Sequence, residues 1–162
     1  MNRWTGNRLS AAELRALAAK LGSDVPFLVA GGSAVVRGRG EQIFPLTSAD
    51  ELFFVLVYPG VQISTAWAYA NLERSLTVDS PYLKFIASLS GGCVRLRDLC
   101  SRLENDFQPI VERAYPIVAD LSKKLSEAGA DFHSLSGSGS CLFGVFEDRT
   151  AAWSAARKLQ AQ

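Results

Sequence analysis

The stretch FHSLSGSGSCLFGVF, Phe132 to Phe146, reads as two short strands, Phe132 to Ser136 and Cys141 to Phe146, joined by Gly137-Ser138-Gly139-Ser140. Apolar runs of strand length interrupted by glycines have few other readings. Upstream, Ile110, Val111, Ala114, Ile117, Val118, Leu121 and Leu125 recur every three or four residues, which predicts helix from Pro109 to Ala128, ended by Gly129. Pro116 should kink that helix or divide it. Downstream, Thr150 to Leu159 reads as a further helix beginning after Asp148. A strand pair with helices on both sides in sequence predicts an α+β domain, its antiparallel sheet covered on one face by helices.

Farther toward the N-terminus the signals continue to mix. Leu52 to Tyr58 (LFFVLVY) is an apolar strand closed by Pro59-Gly60, and such a run predicts burial on both faces. Ser64 caps a helix from Thr65 to Leu72, and Ser80-Pro81 starts another, Tyr82 to Leu89. Gly91-Gly92 breaks the pattern, and Arg95 to Arg102 is weakly helical. Ser33 to Arg37 and Gln42 to Leu46 form a hairpin across Gly38-Arg39-Gly40-Glu41. Ser10 and Glu13 form a capping box for an amphipathic helix that runs to Leu21 and stops at Gly22, with Leu14, Leu17, Ala18 and Leu21 on its apolar face. Between helix and hairpin, Ser23-Asp24-Val25-Pro26 reads as a turn, Phe27 to Ala30 as a short buried stretch, and Gly31-Gly32 as a second turn.

The 162 residues carry 17 Lys+Arg, 16 Asp+Glu and 48% hydrophobic residues. A chain of this size buries roughly 70% of the surface it exposes when unfolded, so it needs no disulfide or structural metal. A net charge of +1 excludes a broad electrostatic field for nucleic acid or anionic lipid. Cys93, Cys100 and Cys141 lack C-x-x-C spacing and suit a reducing cytoplasm. No run of 18 apolar residues is present, and Met1 to Asn7 hold no signal-peptide core, so neither membrane spanning nor secretion is expected.

Three groups of residues could carry chemistry. Val25 precedes Pro26 and is pushed away from helical angles, which makes a sharp turn that holds the Asp24 carboxylate; the plainer reading is a cap on the following turn. Gly137, Ser138, Gly139 and Ser140 can converge backbone N–H groups and hydroxyls on a phosphate, although the loop is neither a P-loop nor a G-x-G-x-x-G turn. Arg37 and Arg39 sit on an exposed hairpin, where a solvated edge is the plainer reading. His133 is the only histidine and has no partner for a metal site or a triad.

Taken in order, Gly22-Ser23-Asp24-Val25-Pro26-Phe27, Gly31-Gly32-Ser33-Ala34, Gly38-Arg39-Gly40-Glu41, Val57-Tyr58-Pro59-Gly60-Val61, Ser64-Thr65, Asn105-Asp106-Phe107 and Leu135 to Phe143 resemble the 4-diphosphocytidyl-2-C-methyl-D-erythritol kinases of the galactokinase, homoserine kinase, mevalonate kinase and phosphomevalonate kinase (GHMP kinase) superfamily. The resemblance runs from about Leu9 to about Leu159. It implies an ATP-dependent kinase, with Mg2+, that phosphorylates the 2-hydroxyl of its substrate in non-mevalonate isoprenoid biosynthesis. Asp24 would be the catalytic carboxylate. Gly137, Ser138, Gly139 and Ser140 would form the cofactor-binding loop, and the Thr65 region would lie near substrate. No resident metal site is implied.

The same resemblance implies two domains. Residues 1–47 correspond to the end of the N-terminal domain, and residues 48–162 to a ferredoxin-like C-terminal domain without its last strand. The family's leading Lys-bearing strand, its cytidine-holding His and Tyr, and its glycine-rich ATP loop have no counterpart here, so the chain reads as part of the enzyme and is expected to be inactive alone. A small-molecule partner, no nucleic acid, no membrane and a homodimer through an exposed sheet edge complete the expectation. Two alternatives stay open: another GHMP kinase acting on homoserine or mevalonate, and a non-catalytic α+β interaction module.

Overall fold

The computed structural model describes residue 6 and residues 8–48, 51–72, 93–95 and 103–160. In chain order the elements are α1 (Ala11–Ala18), α2 (Val25–Ala30), β1 (Ser33–Arg37), β2 (Gln42–Ser48), β3 (Phe53–Val57), α3 (Thr65–Ala70), β4 (Cys93–Val94), α4 (Gln108–Ala114), α5 (Pro116–Glu127), β5 (Phe132–Leu135), β6 (Leu142–Phe146) and α6 (Arg149–Gln160). They fall into two units, one holding the described residues up to 48 with 93–94, the other holding 51–72, 95 and 103–160.

In the first unit, α1 begins at the expected capping box. Ser10 Oγ accepts the Glu13 N–H at 3.3 Å, and Glu13 Oε2 accepts the Ser10 N–H at 2.8 Å and its hydroxyl at 2.7 Å. The helix ends at Ala18, earlier than its periodicity predicts. The Lys20 and Leu21 N–H groups bond three residues back, to Leu17 and Ala18, which tightens the last turn. Ala18 is buried, whereas Leu17 and Leu21 are exposed.

Phe27 to Ala30 are not a buried stretch but part of α2, in which Pro26 is buried and Leu28 and Val29 are exposed. Proline is accepted in a first helical turn because its missing N–H would have had no partner there. Val25 accordingly takes the first helical position despite preceding a proline. The expected β1–β2 hairpin is present, with Ser33 opposite Leu46, Arg37 opposite Gln42, and Gly38 and Gly40 at φ of 69° and 108° in the connection. Cys93–Val94 adds a short strand parallel to Thr47 and Ser48, which the sequence reading did not anticipate.

The second unit is built on an antiparallel sheet ordered β3-β6-β5, with Phe53 opposite Phe146 and Phe132 opposite Val145. Helices α5 and α6 lie on one face, where Val55, Val118, Leu125, Leu135, Leu142, Phe146, Ala152 and Ala155 form the core. Gly144 lies under α5; a Cβ there would stand 2.9 Å from Leu125 Cδ2. The expectation that β3 is covered on both faces is corrected: Phe54 and Leu56 are 58% and 71% exposed, and among the described residues helices cover only the Val55 side. Pro116 divides the long helix at Tyr115, whose φ of −128° and ψ of 87° are the extended angles a residue before proline prefers. Ser64 caps α3 by accepting the Trp67 N–H, and Asp148 Oδ1 accepts the Ala151 N–H at the start of α6. Gly129, at φ 88°, ends α5 as expected.

The predicted helix Tyr82 to Leu89, the Gly91-Gly92 break and the weakly helical 96–102 lie outside the described residues. No helix among the described residues is long and apolar enough to cross a membrane.

Candidate active site

The candidate residues occupy two places, Asp24 in the first unit and the glycine-serine loop in the second. Asp24 follows the tightened end of α1 and takes the N-cap position of α2, at φ −86° and ψ −17°. Its backbone carbonyl accepts the Leu28 N–H at 3.1 Å, while its side chain makes no capping hydrogen bond and is exposed. Local geometry therefore fixes the backbone of Asp24 and leaves its carboxylate without a partner among the described residues, contrary to the expectation of a held side chain. A free carboxylate on a fixed backbone can accept a proton from, or orient, a hydroxyl brought to it.

Gly40 of the hairpin lies against the residue before Asp24. A Cβ at Gly40 would fall inside the Ser23 carbonyl, 2.7 Å from its carbon. The G-R-G-E connection thus packs on the Asp24 turn through bare backbone. Its other charged groups are engaged locally. Glu41 is held below the usual carboxylate range, first by its own backbone N–H and then by that of Arg39, which donates at 2.7 Å. Arg37 lies 5.6 Å from the centre of the Phe44 ring. The arginines therefore read as a solvated edge.

In the second unit the loop turns back through Gly137 and Gly139, at φ of 56° and 92°, with the Gly139 N–H donating to Ser136 O at 3.0 Å. The Ser136 N–H donates to Cys141 O at 2.8 Å and closes the strand pair. Ser138 and Thr65 hydroxyls lie 3.1 Å apart, and the buried Ser140 hydroxyl donates to Val61 O. The structure thus brings Thr65 to the loop. The backbone N–H groups of Gly137, Ser138 and Ser140 have no acceptor among the described residues. A hollow of about 450 Å³ beside the loop is lined by Tyr58, Val61, Ile63, Ser64, Gly139 and Ser140. A larger one, about 840 Å³, opens near Trp67, Glu112 and His133 and contains none of the loop's donors.

The N–H groups of Gly137, Ser138 and Ser140, unpaired among the described residues, are donors that phosphate oxygens take, so the residues present fit a phosphate group. For a metal the fit is poorer: no group of three or more His, Cys, Asp or Glu among the described residues could hold one. His133 sits in β5 and Cys141 is a free thiol. The sequence reading assigned no role to Asn105. In the structure its carboxamide donates to Leu135 O at 2.7 Å and Gly137 O at 2.9 Å. The one available signal was a short amide residue just before a helix, which marks a turn without saying what it holds.

The second unit is therefore an α+β domain with a tight glycine-serine loop between β5 and β6, and known proteins share its architecture. A family model described as "GHMP kinases C terminal" matches residues 87–162. The chain is 36% identical to a 4-diphosphocytidyl-2-C-methyl-D-erythritol kinase of Geobacter sp. (strain M21), over 99% of this chain and 55% of that protein. It is 39% identical to one from Chlorobaculum tepidum, over 94% of this chain and 53% of that protein. A crystal structure of 4-(cytidine 5'-diphospho)-2C-methyl-D-erythritol kinase superposes with a TM-score of 0.73 at 28% identity, covering 99% of this chain and 56% of that one. A homoserine kinase from Cytophaga hutchinsonii shares the fold, with a TM-score of 0.68 at 21% identity. Residues 87–162 match the GHMP kinase C-terminal family, and nearly the whole chain is similar to part of the 4-diphosphocytidyl-2-C-methyl-D-erythritol kinases. It spans about half the length of the curated relatives it matches.

Proposed function

We propose that the complete enzyme transfers the γ-phosphoryl group of ATP to the 2-hydroxyl of 4-diphosphocytidyl-2-C-methyl-D-erythritol, and that this chain contributes its catalytic carboxylate and its C-terminal domain. The observation that carries the reading is the loop Gly137 to Ser140, with unpaired N–H groups and two hydroxyls fixed by Val61 and Thr65. Agreement with relatives named for this activity across nearly the whole chain supports it.

Bound ATP, with Mg2+, supplies the phosphoryl group and part of the charge neutralisation. The roles of this chain's own residues are simple. Asp24 accepts the proton of the attacking hydroxyl or orients it, and the loop N–H groups hold phosphate oxygens as charge redistributes. Residues 1–47 act as the end of the N-terminal domain and residues 48–162 as the C-terminal domain. A reducing cytoplasm suits the free thiol of Cys141.

The test is ADP release by the complete enzyme offered 4-diphosphocytidyl-2-C-methyl-D-erythritol, homoserine and mevalonate in turn. Turnover confined to the cytidylyl substrate is expected, and turnover of homoserine or mevalonate instead would reassign the substrate. The 162-residue chain alone is expected to give none, since transfer depends on positioning and on charge neutralisation from more than one loop. Self-association along the edge of β3, which pairs only with β6 among the described residues, is read by size-exclusion chromatography across concentrations.

A further inference from the structure

We infer that Asn105 is the positioning residue that sets the shape of the Gly137–Ser140 loop and aims the Ser138 N–H away from the protein. The loop's importance rests on the kinase reading above; the positioning itself rests on geometry. One carboxamide is used completely. Its two N–H donors reach Leu135 O at 2.7 Å and Gly137 O at 2.9 Å, and its oxygen accepts the Phe107 N–H at 2.9 Å. No other side chain of this size has two donors and an acceptor in one plane.

The two carbonyls flank Ser136, so the clamp fixes the peptide planes on either side of the loop's first bend. In a trans peptide the carbonyl and the next N–H point in opposite directions. Holding Leu135 O therefore directs the Ser136 N–H to its partner Cys141 O, and holding Gly137 O turns the Ser138 N–H outward, where it has no acceptor among the described residues. Gln108, one helical turn on, extends the hold: its Oε1 accepts the Leu135 N–H at 3.0 Å and the Ser134 hydroxyl at 3.1 Å. The Asn105 backbone is itself tied in, since its carbonyl accepts the Gln108 N–H at 2.9 Å.

The test is residue-resolved amide hydrogen exchange on this chain with Asn105→Asp and Asn105→Ser. Asn105→Asp keeps the acceptor for Phe107 but removes both donors, so the local turn survives while two carbonyls lose their partners. Exchange at Ser136 and Gly139 should quicken about tenfold, the change expected for losing ordinary hydrogen bonds, while Val118 and Leu125 in α5 keep their rates. Asn105→Ser covers the case in which a carboxylate at this position unfolds the chain, and the same local quickening is expected. Unchanged exchange at Ser136 and Gly139, or a rise shared equally by α5, would overturn the assignment. A titration of the complete enzyme with ATP, followed at the same amides, separates the two claims. Amides of Gly137 to Ser140 that ignore ATP while still loosening in the variants would remove the phosphate-binding reading and leave the clamp standing.

Discussion

Gly40 meets the carbonyl of Ser23 through bare backbone, so the hairpin connection and the turn that carries Asp24 are one packed unit. Two costs attend a side chain at Gly40, a left-handed φ of 108° and a collision with a carbonyl that cannot swing aside. Gly32 faces only the first, since its φ is 73° and nothing lies within 4 Å of a Cβ placed there. Gly32→Ala should therefore destabilise the first unit by about 1 kcal/mol, and Gly40→Ala by about 2 kcal/mol more. Thermal unfolding of the two variants side by side checks this, and equal losses would mean that the contact is not formed.

Asp24→Asn in the complete enzyme is expected to lower kcat by about 10²- to 10⁴-fold, the usual contribution of a positioned proton acceptor. KM for either substrate should change far less, because the backbone bond from Leu28 N–H to Asp24 O does not involve the carboxylate. Steady-state kinetics decide it: retained kcat would remove Asp24 from the chemistry.

Gly144 and Leu125 share one space. Gly144→Ala forces a methyl to 2.9 Å from Leu125 Cδ2 and 3.2 Å from Ala130 Cβ, which predicts a loss of about 1–3 kcal/mol by overpacking. Leu125→Ala opens a cavity in the core and should cost about 2–5 kcal/mol. Because the added methyl enters the emptied space, the double variant should be more stable than the sum of the two losses predicts. Denaturant melts of all four proteins give the coupling, and strict additivity would contradict the packing described.

Glu13 is held below the ordinary carboxylate range, chiefly by the Ser10 hydroxyl and then by the Ser10 backbone N–H. A carboxyl lowered by folding stabilises the folded state above its unfolded pKa, and that contribution is lost as pH falls through the lower folded value. Helix α1 should therefore fray at its first turn only in acid. Ser10→Ala should move the Glu13 titration, followed by NMR, upward toward an ordinary glutamate. A Glu13 pKa that stays put in that variant would show that the capping box does not set it.

Local signals were legible where a single physical rule dominates. The Ser10 and Glu13 capping box, the division of the long helix at Pro116 and the left-handed Gly38 and Gly40 follow from hydrogen-bond and φ preferences that act over four residues or fewer. Burial was less legible. The LFFVLVY run at Leu52 to Tyr58 looks buried on both sides, yet Phe54 and Leu56 face solvent, because composition does not say on which face helices will land. For the site, the glycines and serines of the loop announce an anion-compatible turn. Its holders do not announce themselves: Val61 acts through a carbonyl that every residue has, and Asn105 through contacts 30 and 32 positions away.

Val61, Thr65 and Asn105 all precede the loop they hold. As the chain leaves the ribosome, the receiving groups are made first and the loop arrives last, between two strands that zip together as a hairpin. Its shape can therefore be cast on a frame already translated, without waiting for any residue downstream of β6.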